Sequence, residues 1–273
     1  MPELPEVETV MRGLTPALVG HQFRRVQLNR PNLRFPFPAD FAERVQGQRV
    51  VRLSRRAKYM LWHLGDGATV LLHLGMSGRF TFADDESLGP LGTHDHVVFQ
   101  TDQGTEIRYT DPRRFGFMDL IDPGQPCRFL DGLGPEPLGN DFNAAYLQTQ
   151  LAGRSAAIKT RLLDQKVVVG VGNIYCCEAL FQAGIHPARP SKDVTAQEGD
   201  RLTIAIRDVL ARAIAAGGSS LRDYVQADGT LGYFQHAWAV YGRQDAPCRH
   251  CQTPIQRLIQ SSRSSFFCPK CQA

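Results

Sequence analysis

Four cysteines near the C-terminal end constrain this chain more than any other feature. They run Cys248-x2-Cys251-x16-Cys268-x2-Cys271, two CxxC knuckles at the separation of a four-thiolate zinc site. Such a site has no open coordination position, so the expected ion is structural and no catalytic metal is implied. Ile255 to Ile259 and Ser265 to Phe267 read as two short strands between the knuckles. Ser261-Ser262-Arg263-Ser264 is the turn that joins them, which puts Arg263 at a hairpin tip. A segment of about 35 residues cannot fold alone on apolar burial, and metal binding supplies the missing stability. Two disulfides are the competing reading. Cys127, Cys176 and Cys177 bring the total to seven, an odd number, and no secretory signal is present in the sequence. A reducing cytoplasm, and therefore zinc, is expected.

Charge points the same segment at a polyanion. From Val240 onward Arg243, Arg249, Arg257, Arg263 and Lys270 face the single acid Asp245, which accounts for the whole formal charge of +4. The preceding residues are formally neutral. A short basic tail suits nucleic acid, although charge alone does not say which. No run approaches the ~20 apolar residues of a membrane span. A chain of 273 residues is long enough for two domains or more.

In chain order the pattern changes three times. Phe23 to Leu120 is mostly strand, with hairpin signals at Gly65-Asp66-Gly67 and Asp102-Gln103-Gly104. No segment of helical period interrupts these strands, so residues 1–121 read as a β-sandwich or barrel behind an N-terminal helix. Residues 122–140, rich in Pro and Gly, read as a linker. Residues 141–235 turn helical, with candidates at Phe142 to Leu151, Ala156 to Gln165, Ile174 to Ala183 and Ala196 to Ala216. The last opens on a capping box, Thr195-Ala196-Gln197-Glu198, and stops at Gly217-Gly218. The metal hairpin occupies residues 239–273. The expected fold class is α+β and multidomain.

The first eight residues, Met1-Pro2-Glu3-Leu4-Pro5-Glu6-Val7-Glu8, are acidic and lack the features of a targeting signal. Pro5 suits the first turn of a helix. Val7, Val10, Met11 and Leu14 then form one apolar stripe that would pin the helix to a core. Removal of Met1, expected because the next residue is small, makes Pro2 a terminal secondary amine. An α-amino group has a pKa near ~8 and is partly unprotonated at neutral pH, so it can attack a carbonyl or aldehyde-like carbon. Glu3 beside it can serve as acid–base partner. The plainer reading is a Pro-rich helix lead with solvated glutamates.

Four other clusters carry possible chemistry. Val169-Gly170-Val171-Gly172-Asn173 is a tight turn into a helix, by itself a plain structural turn or, beside a basic finger and with Arg154 and Lys159 close in sequence, a place where backbone N–H groups bind phosphate. Arg55-Arg56-Ala57-Lys58-Tyr59 is either a solvated basic edge or a phosphate contact. His73-Leu74-Gly75-Met76-Ser77-Gly78 puts a methionine on a glycine-flanked tip, and Asp111-Pro112-Arg113-Arg114-Phe115-Gly116 puts an arginine and a phenylalanine on a turn. Apolar wedges plus an arginine on loops are what entering a base stack requires.

Eight motifs in order, MPELPEVET, RRAKYM, HLGMSG, YTDPRRFG, LGPEPL, VVGVGNIY, GIHP and the terminal four-cysteine segment, resemble bacterial formamidopyrimidine-DNA glycosylases over nearly the full length. The resemblance implies a β-sandwich catalytic domain, a helix–two-turn–helix domain and a zinc-finger hairpin gripping damaged double-stranded DNA. It implies a monomeric repair enzyme in the bacterial cytoplasm, at the nucleoid, with one structural zinc ion and no catalytic cofactor. Pro2 would attack C1′ of the damaged nucleotide, and Glu3 would be the acid–base partner. Lys58 would donate a proton in β-elimination and touch the phosphate beside the lesion, and Arg263 would assist δ-elimination. Met76, Arg113 and Phe115 would fill the gap left by the flipped base. His94, Arg113, Arg154, Lys159 and Asn173 would hold the backbone, Glu6 would read the lesion, and Tyr224 to Phe234 would be a loop over the everted base. The family usually carries small residues where this chain has Cys176-Cys177, which read as core side chains. An endonuclease VIII-like enzyme acting on oxidised pyrimidines, or an inactive DNA-binding relative, remains the alternative.

Overall fold

The computed structural model describes residues 2–83, 89–219 and 232–273. The chain forms two compact units, Met1–Asp131 with Ala216–Gln235, and Gly132–Ala215 with His236–Ala273.

The first unit begins with helix α1 (Leu4–Leu18), whose first turn accommodates Pro5. Val7, Val10, Leu14 and Leu18 are buried and join the core, with Met11 packed at its margin. Then follow β1 (Phe23–Leu28), α2 (Phe41–Val45), β2 (Val50–Arg56), β3 (Tyr59–Leu64), β4 (Thr69–His73), β5 (Arg79–Ala83), β6 (Asp95–Thr101), β7 (Glu106–Thr110) and β8 (Phe117–Ile121). They make two four-stranded sheets, ordered β2-β3-β4-β8 and β1-β6-β7-β5, antiparallel throughout. Alternation along β3 sends Met60, Trp62 and Leu64 inward. The Trp62 ring meets Phe23, Phe80 and Phe99 at centroid distances of 6.1, 5.6 and 5.2 Å, so strands of both sheets share one aromatic centre. Burying each such ring stabilises the fold by about 1.5–3 kcal/mol. Helix α2 lies among the strands without a legible helical period in the sequence, since five residues are too few to show one.

The second unit holds α3 (Ala144–Leu151), α4 (Ile158–Leu162), α5 (Asn173–Ala183), α6 (Ala196–Ala215), β9 (Gln256–Gln260) and β10 (Arg263–Phe267). The Asn143 side chain caps α3 by accepting the Tyr146 N–H, 2.9 Å. The capping box of α6 forms: Glu198 Oε2 accepts the Thr195 N–H at 2.9 Å and Thr195 Oγ1 accepts the Glu198 N–H at 3.3 Å. Helix α4 is one turn rather than the ten residues expected from Ala156 to Gln165. Asp164 ends it, because its Oδ1 accepts the Lys166 N–H and turns the chain away.

The hairpin β9–β10 is tighter than its sequence suggests. Gln260 pairs directly with Arg263, so the turn is Ser261-Ser262 alone, both left-handed at φ 47° and 61°. Arg263 therefore opens β10 instead of occupying the tip. Cys177 and Phe181 of α5 share a core with Val240, Cys248, Ile255 and Cys268, which docks the hairpin on that helix. The helical segment drawn to residue 235 from sequence also divides differently, since Ala216–Gln235 groups with the first unit. No helix among the described residues is long and apolar enough to cross a membrane.

Candidate active site and nucleic-acid interface

Pro2 is buried immediately ahead of α1. Glu3 caps that helix and is 3 % exposed, and Glu6 is 2 % exposed, so the reading of solvated glutamates fails. The Glu6 carboxylate works as a strut. Its Oε2 accepts the Glu3 N–H at 2.8 Å, and its Oε1 accepts the Ser219 N–H at 2.8 Å. Gly218, at φ +79°, lies against it, and a Cβ there would stand 3.1 Å from Glu6 Oε1. Glu6, expected to read the lesion, is thus committed to two backbone donors. It fixes the residue next to Pro2 and the entrance to residues 220–231. The far side of that stretch is also tied down, as the Tyr233 N–H reaches the Ala216 carbonyl and the Phe234 N–H that of Gly218. The loop expected over Tyr224 to Phe234 lies mostly outside the described residues.

Lys58 enters from the β2–β3 turn. Arg56 pairs with Tyr59, which leaves Ala57-Lys58 as a two-residue turn with Ala57 at φ 55°. Arg55 braces this strained turn: its Nη1 donates to the Ala57 carbonyl at 2.9 Å and its Nε to Glu8 Oε2 of α1 at 2.8 Å. Lys58 itself is only 8 % exposed. Beside it stands His73, which sequence reasoning passed over although it opens the HLGMSG motif. Burial first, and then the charges of Lys58 and Arg34, push the His73 pKa down to about 4. Its Nδ1 accepts the Gly75 N–H at 3.0 Å, which leaves Nε2 as the donor of a neutral ring. The ring is stacked on Phe117 at 5.4 Å.

The two loops expected to enter a base stack belong to the same sandwich, between β4 and β5 and between β7 and β8. Phe115 is 45 % exposed, and the Arg113 guanidinium lies 5.1 Å over its ring. Met76 is half-buried on the neighbouring loop, and His94 is exposed.

In the second unit Asn173 begins α5, and its Nδ2 donates to the Ser264 carbonyl at 2.9 Å. Its Oδ1 is buried and has no hydrogen-bond partner among the described residues. Lys159, expected to hold DNA, is instead inside the protein. Its ammonium donates to the same carbonyl at 3.0 Å and to Ser265 Oγ at 2.6 Å. It lies on α4 facing β10, so it orders the strand that carries Arg263 and does not present charge to solvent. Arg154 and Arg263 are exposed. Lys159, Gln260 and Arg263 line a cavity of about 250 Å³ beside the hairpin turn. Glu178, also unanticipated, is buried on α5, which raises its pKa. It accepts the N–H groups of Ala239, Val240 and Tyr241 at 2.8–3.0 Å, where the chain enters the hairpin.

The four cysteine sulfurs lie within 4.8 Å of one another, with Cys251–Cys268 at 3.4 Å and Cys248–Cys271 at 3.9 Å. Four tetrahedral sulfurs about 2.3 Å from zinc stand about 3.8 Å apart, so the cluster fits the ion.

Three family models cover this geometry. Residues 1–118 match the formamidopyrimidine-DNA glycosylase N-terminal domain, 133–225 its H2TH domain, and 246–273 the zinc finger found in FPG and IleRS. The formamidopyrimidine-DNA glycosylase of Ruegeria pomeroyi is 54 % identical over 286 residues, with both chains covered in full. The chain belongs to the formamidopyrimidine-DNA glycosylase family. The Agrobacterium fabrum formamidopyrimidine-DNA glycosylase is 48 % identical, again end to end. Among solved structures, the Thermus thermophilus MutM (Fpg) protein is 38 % identical with a TM-score of 0.88, covering 99 % of this chain and 98 % of its own. The Lactococcus lactis Fpg in complex with DNA containing an abasic site is 33 % identical with a TM-score of 0.91, covering 99 % of each chain. Membership makes the chain a DNA glycosylase of base excision repair, and the C-terminal hairpin a zinc finger with one structural ion.

Proposed function

We propose that the chain excises oxidised purines, 8-oxoguanine and formamidopyrimidines, from duplex DNA and then cleaves the strand at the abasic site. The observation that carries this reading is the Glu6 strut, which holds the residue after Pro2 and the residue before 220–231 through one buried carboxylate. A terminal amine so placed has the positional restraint that nucleophilic attack demands. Pro2 nitrogen bonds to C1′ of the damaged nucleotide as the glycosidic bond breaks, and the base leaves with a proton. The sugar ring opens to an iminium with the Pro2 nitrogen. Glu3 relays protons at this stage. The iminium draws electrons, so loss of a C2′ proton expels the 3′ phosphate, with Lys58 as proton donor and phosphate contact. A second elimination, assisted by Arg263, expels the 5′ phosphate, and water releases Pro2. Neutral His73 offers its Nε2–H to a phosphate oxygen next to Lys58. Met76, Arg113 and Phe115 enter the base stack. His94, Arg154 and Asn173 hold the backbone. The zinc ion keeps the finger folded and takes no step. The enzyme works as a monomer in the bacterial cytoplasm, on nucleoid DNA.

Borohydride trapping on an 8-oxoguanine·C duplex tests the reading. Wild-type protein forms a covalent adduct, Pro2→Gly and Glu3→Gln lose at least about 100-fold in trapping, and a residue retained ahead of Pro2 abolishes it while sparing DNA binding. No adduct with wild type would sink the mechanism. Preference for thymine glycol·A would instead assign the pyrimidine specificity of endonuclease VIII.

A further inference from the structure

Asp111 is fully buried in a protein whose reaction makes no use of it. Both carboxylate oxygens and its backbone N–H are bonded to segments proposed to touch DNA. Oδ1 accepts the Ser77 hydroxyl at 2.5 Å, on the Met76 loop. Oδ2 accepts the Gly116 N–H at 2.8 Å, closing the Arg113–Phe115 loop, and the Tyr109 hydroxyl at 3.3 Å. Its own N–H donates to the His94 carbonyl at 3.1 Å, and its carbonyl accepts His96 Nε2 at 2.9 Å. The Ser77 hydroxyl completes a bridge, since its oxygen also accepts the Arg113 N–H at 3.1 Å.

The loops also touch through their backbones. A Cβ on Gly75 would fall 2.3 Å from the Phe115 carbonyl carbon and from the Gly116 nitrogen. One on Gly116 would fall 1.8 Å from the Tyr109 hydroxyl. Three glycines, 75, 78 and 116, thus let the two loops and the end of β7 close over a single carboxylate. A buried carboxylate that satisfies three donors cannot release one of them without leaving another polar group unpaired at a cost.

From this we propose that Asp111 is the positioning residue that makes the Met76 loop and the Arg113–Phe115 loop one rigid wedge, so that methionine, arginine and phenylalanine enter the stack together. The inference rests on the insertion role given to those three side chains above. It separates two capacities of the enzyme. Work on duplex DNA needs the wedge, whereas cleavage at an abasic site in a single strand does not. An amide at position 111 accepts at only one of its two positions, so either Ser77 or Gly116 loses its acceptor in Asp111→Asn. Ser77→Ala cuts the bridge from the other side without touching Asp111.

Stopped-flow fluorescence of 2-aminopurine beside an 8-oxoguanine lesion reads stack opening, alongside single-turnover cleavage of that duplex and of a single-stranded abasic oligonucleotide. Asp111→Asn and Ser77→Ala are expected to slow opening and duplex cleavage about 10- to 100-fold, and single-strand cleavage no more than about twofold. Met76→Ala and Phe115→Ala run beside them. If those two leave opening at the wild-type rate, the insertion reading itself fails. If they slow it and neither Asp111→Asn nor Ser77→Ala does, the positioning role is overturned. Equal losses on both DNA substrates overturn it as well, by showing a general structural defect. Should Asp111→Asn fail to fold by circular dichroism, Ser77→Ala decides alone.

Discussion

At the scale of single residues, the candidate site is a set of buried polar groups whose partners are mostly backbone. Glu6 accepts from Glu3 and Ser219, Asp111 from Gly116 and Ser77, and Glu178 from three consecutive N–H groups. Backbone donors do not move independently of the fold, so each carboxylate converts sandwich or helix rigidity into loop position. Glu6→Gln keeps the size and removes one acceptor, so one of its two backbone donors loses its partner. Single-turnover base excision is expected to fall about 10- to 100-fold, with duplex affinity changed far less. An unchanged excision rate would show that the strut does not position Pro2. His73 supplies a pH signature. Its pKa drops from 6.5 unfolded to about 4 folded, so the folded state binds fewer protons than the unfolded one between those values. The neutral ring's contribution to stability is complete above about pH 6.5 and is lost as pH falls towards about 4. Urea midpoints measured downward from neutral pH are expected to drop faster for wild type than for His73→Gln. Parallel slopes would rule out a neutral His73.

At the scale of elements, short turns place the chemistry and longer elements hold the turns. The β2–β3 hairpin delivers Lys58 through a two-residue turn strained at Ala57, and Arg55 ties that turn to α1 through Glu8. The same helix therefore follows directly on Pro2 at its start and steadies the Lys58 turn from its second turn. In the second unit, α4 and α5 aim Lys159 and Asn173 at one carbonyl, that of Ser264, next to Arg263. Two donors on one acceptor fix β10 where a lone hairpin would fray. The Cys176-Cys177 pair follows from this packing. Both are buried, Cys177 in the finger core and Cys176 with its sulfur 3.9 Å from the Lys159 carbonyl. Both serve as small core side chains.

At the scale of the whole molecule, the two units have separate cores. The sandwich gathers around Trp62, and the finger core forms on α5 with two of the four cysteines inside it. Stability of the finger depends on its ion, and stability of the sandwich does not. Zinc chelation is expected to abolish DNA binding and to expose residues 256–267 to hydrogen exchange, while protection in β3 and β7 stays as in the zinc-bound protein. Chelated protein that still binds DNA would remove the finger from the interface.

The sequence alone determined what is local or covalent. The cysteine spacing specified a zinc hairpin, the stripe after Pro5 specified an anchored helix, and Thr195–Glu198 specified a helix start. The strand Tyr59–Leu64 was legible because Gly65-Asp66-Gly67 punctuates the run as a hairpin turn. Tertiary structure decided what depends on a partner distant in the chain. Lys159 reads as a surface cation until β10 is seen to cover it. Glu6 gains its role only when Ser219, more than two hundred positions away, brings an N–H to its second oxygen. Arg263 leaves the turn because Ser261 and Ser262 adopt left-handed backbone together, which serine does not announce. Pro2 stands at the centre of both accounts. Sequence showed that its nitrogen could be a nucleophile, and the fold adds a buried Glu6 carboxylate that holds the N–H of Glu3, the residue next to it.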